Sequence, residues 1–232
     1  MQLGPRTWFL AVTRGFGSVD GVPTERALLA RLRVECERRL RGERFRRAVD
    51  RPQAAATAVL AALARVNGEL YARTAGHDDY VTAASSLTAA LIVRGHAFVM
   101  HSGGTAAYLA HHGDVVALSH DDTFDDAALP LLSRALGTTA ALDVAVTSVM
   151  LDEGDVVVLL GRRVPGDVDR RALIAHVESA DPADHVLVAR FERDDGLDEA
   201  IAGSPPAPLV AVAALARVVA AIALILALVF AR

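Results

Sequence analysis

The sequence predicts an α+β fold in which segregated helices cover antiparallel sheets. Three observations carry this. Two helical stretches come together early, one opening at Thr24 and one over roughly Ala54–Thr74, with Pro52 separating them. A run of short β-prone segments follows between residues 87 and 119, separated by Gly-containing turns. Two more strands, one helix and a closing strand then complete the order. Strands and helices grouped in this way argue against an alternating parallel α/β fold.

Trp8–Val12 is a short apolar run ending at Gly15 and Gly17, a strand that enters a tight turn. Pro23 and Thr24 mark a helix start, with Thr24 as the expected N-cap and Glu25 in the first turn. Leu28, Leu32, Cys36 and Leu40 recur at every fourth position and line one face, with Arg31, Arg38 and Arg39 mostly on the other. The basic stretch Arg38–Arg47 reads as a solvated helix face. A second helix spans Ala54–Thr74, its apolar stripe interrupted at Asn67. The segment Gly76–Tyr80 reads as a loop.

The spacing then predicts strands at Leu87–Val93, Ala97–Ser102, Ala106–Ala110 and Val115–Ser119. Arg94-Gly95, Gly103-Gly104 and His111–Asp114 are the turns between them. A helix is expected over Ala127–Ala135 and strands at Val144–Leu151 and Val156–Leu160, joined by the turn Asp152–Asp155. Asp169–Glu178 reads as a helix, and Val186–Phe191 as the last strand.

The chain organises as a domain over residues 1–195, a linker over 196–208 and an apolar segment over 209–231. Leu209–Ala231 is apolar except for Arg217. About 20 apolar residues span a bilayer. A central Arg costs about 2.5–3.5 kcal/mol, which the apolar residues together offset, and Arg217 lies in the first half, where it can snorkel. A single-pass C-terminal anchor is therefore expected. The 24 basic residues are all Arg, and the net charge of −4 gives no nucleic-acid footprint. The lone Cys36 excludes an intrachain disulfide and, with no signal peptide visible at the start, favours a cytoplasmic domain.

The blocks Ser86–Gly95, His101–Leu109 and Leu118–Thr123, followed by Arg134–Gly137 and Asp152–Leu160, resemble the metal-dependent serine/threonine protein phosphatases (the PPM, or type 2C, family). That family writes them as a GTTA strand, a GDSRAYL turn, LTxDHS, RALG and PGDxxLLCSDG. The resemblance covers roughly Trp8 to Arg190 and implies a four-layer αββα sandwich. It also implies a place in serine/threonine phosphorylation signalling, beside a phosphoprotein, a kinase or a true phosphatase.

The departures from that pattern fall on the chemistry. The family's DGMGG corresponds to Arg14–Ser18, so its metal aspartate is Arg14, and only the glycine that binds metal through its carbonyl survives, as Gly15. GDSR corresponds to Gly103–Ala106, so another aspartate is Gly104. SDG corresponds to Gly161–Arg163, placing Arg162 where a third metal aspartate would stand. The DN pair near the end is Asp184-His185, which makes Asp184 the one metal carboxylate retained. The family's phosphate-binding arginine lies on N-terminal strands without a counterpart here.

A guanidinium carries five donors and no acceptor, so it ligates no metal. No catalytic residue and no cofactor are therefore expected, and Gly15 and Asp184 are vestigial metal positions. Arg14, Gly104, Arg162 and Asp184 would line a degenerate pocket in which the arginines pair with Asp184; a sharper version has the arginines bind a phosphate. The alternative is an active Mn²⁺- or Mg²⁺-dependent phosphatase whose metal site is rebuilt from Asp184 and loop acids such as Asp20.

Other motifs carry less. His77-Asp78-Asp79 and His120-Asp121-Asp122 read as surface loops, and His111-His112 as a hairpin turn with no ligand role. Gly15–Gly17 lacks the pattern of a phosphate-binding glycine loop. Ser85 and Ser86 lack the context of a serine nucleophile.

Overall fold

A computed structural model describes residues 1–4, 7–40, 51–74, 82–124, 131–180 and 185–191. The chain opens with β1 (Gln2–Gly4) and β2 (Thr7–Phe16), then a small hairpin of β3 (Ser18–Val19) and β4 (Val22–Pro23). Helices α1 (Thr24–Leu40) and α2 (Pro52–Thr74) follow. Next come β5 (Ala84–Val93), β6 (His96–Ser102), β7 (Ala106–His111) and β8 (Asp114–Ala117). A second small hairpin pairs β9 (Thr123–Phe124) with β10 (Leu131–Leu132). The domain finishes with β11 (Ala145–Met150), β12 (Val156–Leu160), α3 (Arg170–Ser179) and β13 (Val186–Arg190).

The strands form two main antiparallel sheets, ordered β1-β2-β5-β6-β11 and β13-β12-β7-β8. Successive side chains of a strand point to opposite faces, so each sheet can serve two layers. On β5 and β6, Leu87, Ala89, Leu91, Phe98 and Met100 pack under α1 and α2 with Leu28, Leu32, Cys36 and Leu63. The alternate residues Ala90, Ile92, Ala97 and Val99 meet Val12, Ala107, Leu109, Val157 and Leu159 between the sheets. The outer face of the second sheet, with Tyr108, Val156, Val158 and Leu160, packs on Leu173 and Val177 of α3. Helices, sheet, sheet and helix therefore stack as the four layers that the sequence implied.

Most predicted elements recur with shifted ends. The strand expected over Trp8–Val12 runs on to Phe16 because it pairs with β5 along its whole length, as far as Phe16↔Ala84. Thr24 opens α1 by a different device from the expected cap: its hydroxyl donates to the Phe16 carbonyl at 2.9 Å and ties the helix to the end of β2. Arg38 and Arg39 are not merely solvated, since both pair with the buried Glu35. The helix expected over Ala127–Ala135 is not formed in its described part. Leu131–Leu132 pairs with Thr123–Phe124 instead, and the Ser133 N–H donates to the Asp122 carbonyl at 2.7 Å. Among the described residues no helix is long and apolar enough to cross a membrane. The linker 196–208 and the segment 209–231 lie outside the described residues.

Asn67, which breaks the stripe of α2, is buried and fully used. Its amide nitrogen donates to the carbonyls of Thr139 (2.9 Å) and Ala140 (3.3 Å), and its oxygen accepts the Gly137 N–H at 2.9 Å. The helix thereby holds the segment 137–140, where no regular partner exists for the backbone. Replacing Asn67 by Ala leaves the Gly137 N–H buried without an acceptor. Asn67→Ala is expected to lower stability by about 2–3 kcal/mol in a urea denaturation series.

Candidate functional site

The face shared by the two sheets is apolar for most of its length and polar at one end. On β2, Val12 is followed on the same face by Arg14; on β5, Ala90 is followed by Thr88 and Ser86; on β6, Val99 is followed by His101. Cross-strand pairing sets these residues side by side, with Arg14 opposite Ser86 and Thr88 opposite His101. The β6–β7 turn closes over them. Its Gly104 N–H donates to Ser86 Oγ at 3.0 Å, and Thr105 Oγ1 lies 2.7 Å from Thr88 Oγ1. Gly103 has φ +97°, and a Cβ there would come within 2.3 Å of Ser86 Oγ, so only glycine fits this approach.

Polar groups so deeply buried must be paired, and Asp122 organises the pairing. Only 5% exposed, it accepts the Gly103 N–H at 2.9 Å on one oxygen and the Arg134 guanidinium at 2.5 Å on the other. Burial acts to raise its pKa, but Arg134, the Gly103 N–H and the nearby His101 ring outweigh burial and hold the carboxyl below its ordinary value. His101 Nδ1 lies 2.9 Å from the Thr88 hydroxyl, while Nε2 faces Asp122 at 3.4 Å without hydrogen-bond geometry. Burial, reinforced by the charges of Arg163 and Arg134 and opposed by Asp122, pushes the imidazole down to about 4. The ring is therefore neutral at neutral pH. Arg163 fixes the neighbouring loop, donating to the Ser119 carbonyl at 3.1 Å, to Ser119 Oγ and to the His120 carbonyl.

No family model matches the sequence, and no curated protein matches it. Solved structures do. PppA, a regulatory component of T6SS in Pseudomonas aeruginosa, superimposes with a TM-score of 0.58 at 17% identity, over 75% of this chain and 73% of that one. The Mycobacterium tuberculosis serine/threonine phosphatase PstP/Ppp gives 0.55 at 17% identity, over 83% and 94%. The S. agalactiae serine/threonine phosphatase gives 0.57 at 16% identity, over 75% and 74%. The fold is that of the bacterial serine/threonine phosphatases.

Within this phosphatase fold, Arg14, Gly15 and Gly104 gather around Ser86 and Ser85 at one end of the first sheet, as the cross-strand pairs and the Gly104–Ser86 bond require. Arg162 lies on the facing sheet, exposed just beyond β12, after Gly161 has donated to the His185 carbonyl at 2.7 Å. Asp184 lies outside the described residues. Asp20 is 77% exposed and pairs with Arg73. Among the described residues, the positions that match the family's metal ligands do not fit a pair of divalent cations. Such ions need carboxylate or carbonyl oxygens, and Arg14, Gly104 and Arg162 bring no side-chain oxygen. At Gly104 the space is also tight, because a Cβ would stand 3.3 Å from Leu132 of the β9–β10 hairpin.

Two features of the site escaped the sequence. Asp122 and Arg134 were in plain view, but no local pattern joins residues 12 apart across an irregular segment, and Asp122 read as a surface loop. Glu25 is the second. Its carboxylate comes within 3.0 Å of where a Gly15 Cβ would be, so an acidic group stands beside the Gly15 backbone. A groove of 840 Å³ lined by Asp114, Asp169, Arg170 and Ile174 lies elsewhere, between the β7–β8 turn and α3.

The buried imidazole makes stability depend on pH. With a folded-state value of about 4 against 6.5 for a free ring, the unfolded chain binds the extra proton between these values. The contribution of His101 is complete above pH 6.5 and is lost as pH falls toward 4, an effect on the order of 3 kcal/mol. Thermal melts of the wild-type chain should drop across this window, and His101→Gln should flatten that slope.

Proposed function

We propose that this chain is a phosphatase-fold protein that has given up two-metal hydrolysis. It acts instead as a binding or regulatory module in serine/threonine phosphorylation signalling. The observation that carries the reading is Arg14 at the polar end of the inter-sheet face, beside Ser86 and the Gly103-Gly104 turn. A permanent cation occupies the position where the family's chemistry needs an anionic ligand. The nearby buried carboxylate, Asp122, is already committed to Arg134 and the Gly103 N–H. Arg162, on the facing sheet, adds a second guanidinium.

Guanidinium forks suit phosphate oxygens, so the ligand we assign to this end is a phosphorylated serine or threonine segment of a partner protein, such as a kinase or its substrate. The apolar segment 209–231 would hold the domain at the membrane, on its cytoplasmic side. PppA, described as a key regulatory component of T6SS, is compatible with a regulatory role for this fold.

A second reading is favoured by one observation, the Glu25 carboxylate beside the Gly15 backbone. In that reading Glu25 and Asp184 rebuild a Mn²⁺ or Mg²⁺ site, and the chain remains an enzyme.

The binding reading is checked by fluorescence anisotropy of the full chain in detergent with a phosphothreonine peptide and its unphosphorylated twin. We expect preference for the phosphopeptide, with affinity reduced about tenfold by Arg14→Ala or Arg162→Ala, the scale of one lost charge-assisted contact. Equal affinity for the two peptides, or an affinity that both variants leave intact, would remove the assigned ligand.

A further inference from the structure

We propose that the β7–β8 turn and the β11–β12 turn together form a surface zinc site whose ligands are His111, His112 and Asp152. It lies at the opposite end of β7 and β12 from Gly104 and Arg162, and it is independent of the function assigned above.

Adjacent histidines ordinarily point apart, and here the backbone brings them together. His112 has φ +48°, a left-handed conformation uncommon outside glycine. The two imidazoles consequently meet edge-on, with ring centroids 4.2 Å apart. One ligand atom from each of His111, His112 and Asp152 lies within 4.8 Å of the others, and His112 Nε2 stands 4.0 Å from Asp152 Oδ2. Ligands at about 2.0–2.2 Å from one zinc ion are separated by roughly 3–4 Å. Closing the remaining gap falls to His112 and Asp152, whose side chains are 70% and 57% exposed and meet little packing resistance.

Behind the ligands stands a buried carboxylate. Asp155, 3% exposed, lies 2.7 Å from His111 Nδ1 through one oxygen and accepts the Asp152 N–H at 2.8 Å with the other. With the proton on Nδ1 toward Asp155, the lone pair of His111 is on Nε2. A carboxylate that orients a ligating histidine from behind is the usual outer shell of a metal site. The same carboxylate fixes the backbone of Asp152, so one buried group positions two of the three ligands.

The donor set selects the ion. Two imidazoles and one carboxylate suit Zn²⁺, whereas Mg²⁺ and Mn²⁺ favour oxygen ligands. Three protein ligands leave a fourth position for water or for a side chain of a partner.

The test is calorimetric titration of the full, tag-free chain in detergent with ZnCl₂ near neutral pH. His112→Asn keeps a residue tolerant of positive φ, Asp152→Asn keeps the side-chain shape, and thermal melts of both variants verify the fold. We expect one equivalent of Zn²⁺ to bind, with each variant weakening binding at least about tenfold and an excess of Mg²⁺ failing to compete. Absence of saturable binding, or an affinity that either variant leaves unchanged, overturns the site.

Discussion

Two sheets share a face that is apolar as far as Val12, Ala90 and Val99 and polar beyond them. Everything at that end depends on how the buried polar groups are satisfied, because each unpaired one would cost as much as a lost hydrogen bond. Asp122 meets most of that demand, although His101 Nε2 faces it without a hydrogen bond. By accepting from Gly103 and Arg134 and facing His101, it joins the β6–β7 turn, the loop after β8 and the segment leading to Leu136. Leu136 in turn pairs through its backbone with Ser85, at 2.9 and 3.1 Å, so the same network reaches the strand that lies against Arg14 and Gly15. The fold at this end is held by one ionised carboxylate and its donors.

That arrangement also explains why the end of the sandwich can remain ordered with arginines at its mouth. A metal centre concentrates positive charge among carboxylates, and both halves of such a centre stabilise the strand ends that carry them. In the function proposed above, the positive charge is covalent, on Arg14 and Arg162, and does not dissociate. The Gly103-Gly104 turn, which has no room for a Cβ at one residue and little at the next, is stitched to Ser86 and Asp122 by its own N–H groups. The turn therefore takes its shape from backbone hydrogen bonds.

Much of this was legible in the sequence where periodicity and burial speak with one voice. The run Leu28, Leu32, Cys36 and Leu40 forms the buried face of α1, and Val156–Leu160 is the strand as read. The layers followed from the order of elements and from the phosphatase-like blocks. Legibility failed where long-range polar contacts decide the structure. Asn67 looked like a flaw in an apolar stripe and is the anchor for residues 137–140. The stretch after Asp122 has helix-forming composition, yet its described end, Leu131–Leu132, is drawn into a hairpin beside Gly104. His111-His112 stands at the hairpin turn as read, but neither the left-handed φ of His112 nor the buried Asp155 beside His111 can be read from spacing. At the site, the departures from the family's pattern are a reading of the sequence, whereas the proximity of Glu25 to Gly15 requires coordinates.

The loss of two-metal hydrolysis is measured most directly by the release of phosphate from a phosphothreonine peptide by the full chain in detergent, across a Mn²⁺ titration, beside Glu25→Gln and Asp184→Ala. No turnover above the protein-free blank is expected at any Mn²⁺ concentration. Mn²⁺-dependent turnover that either variant abolishes would contradict that loss, and would show that carboxylates at the rim complete a working metal site despite Arg14 and Arg162.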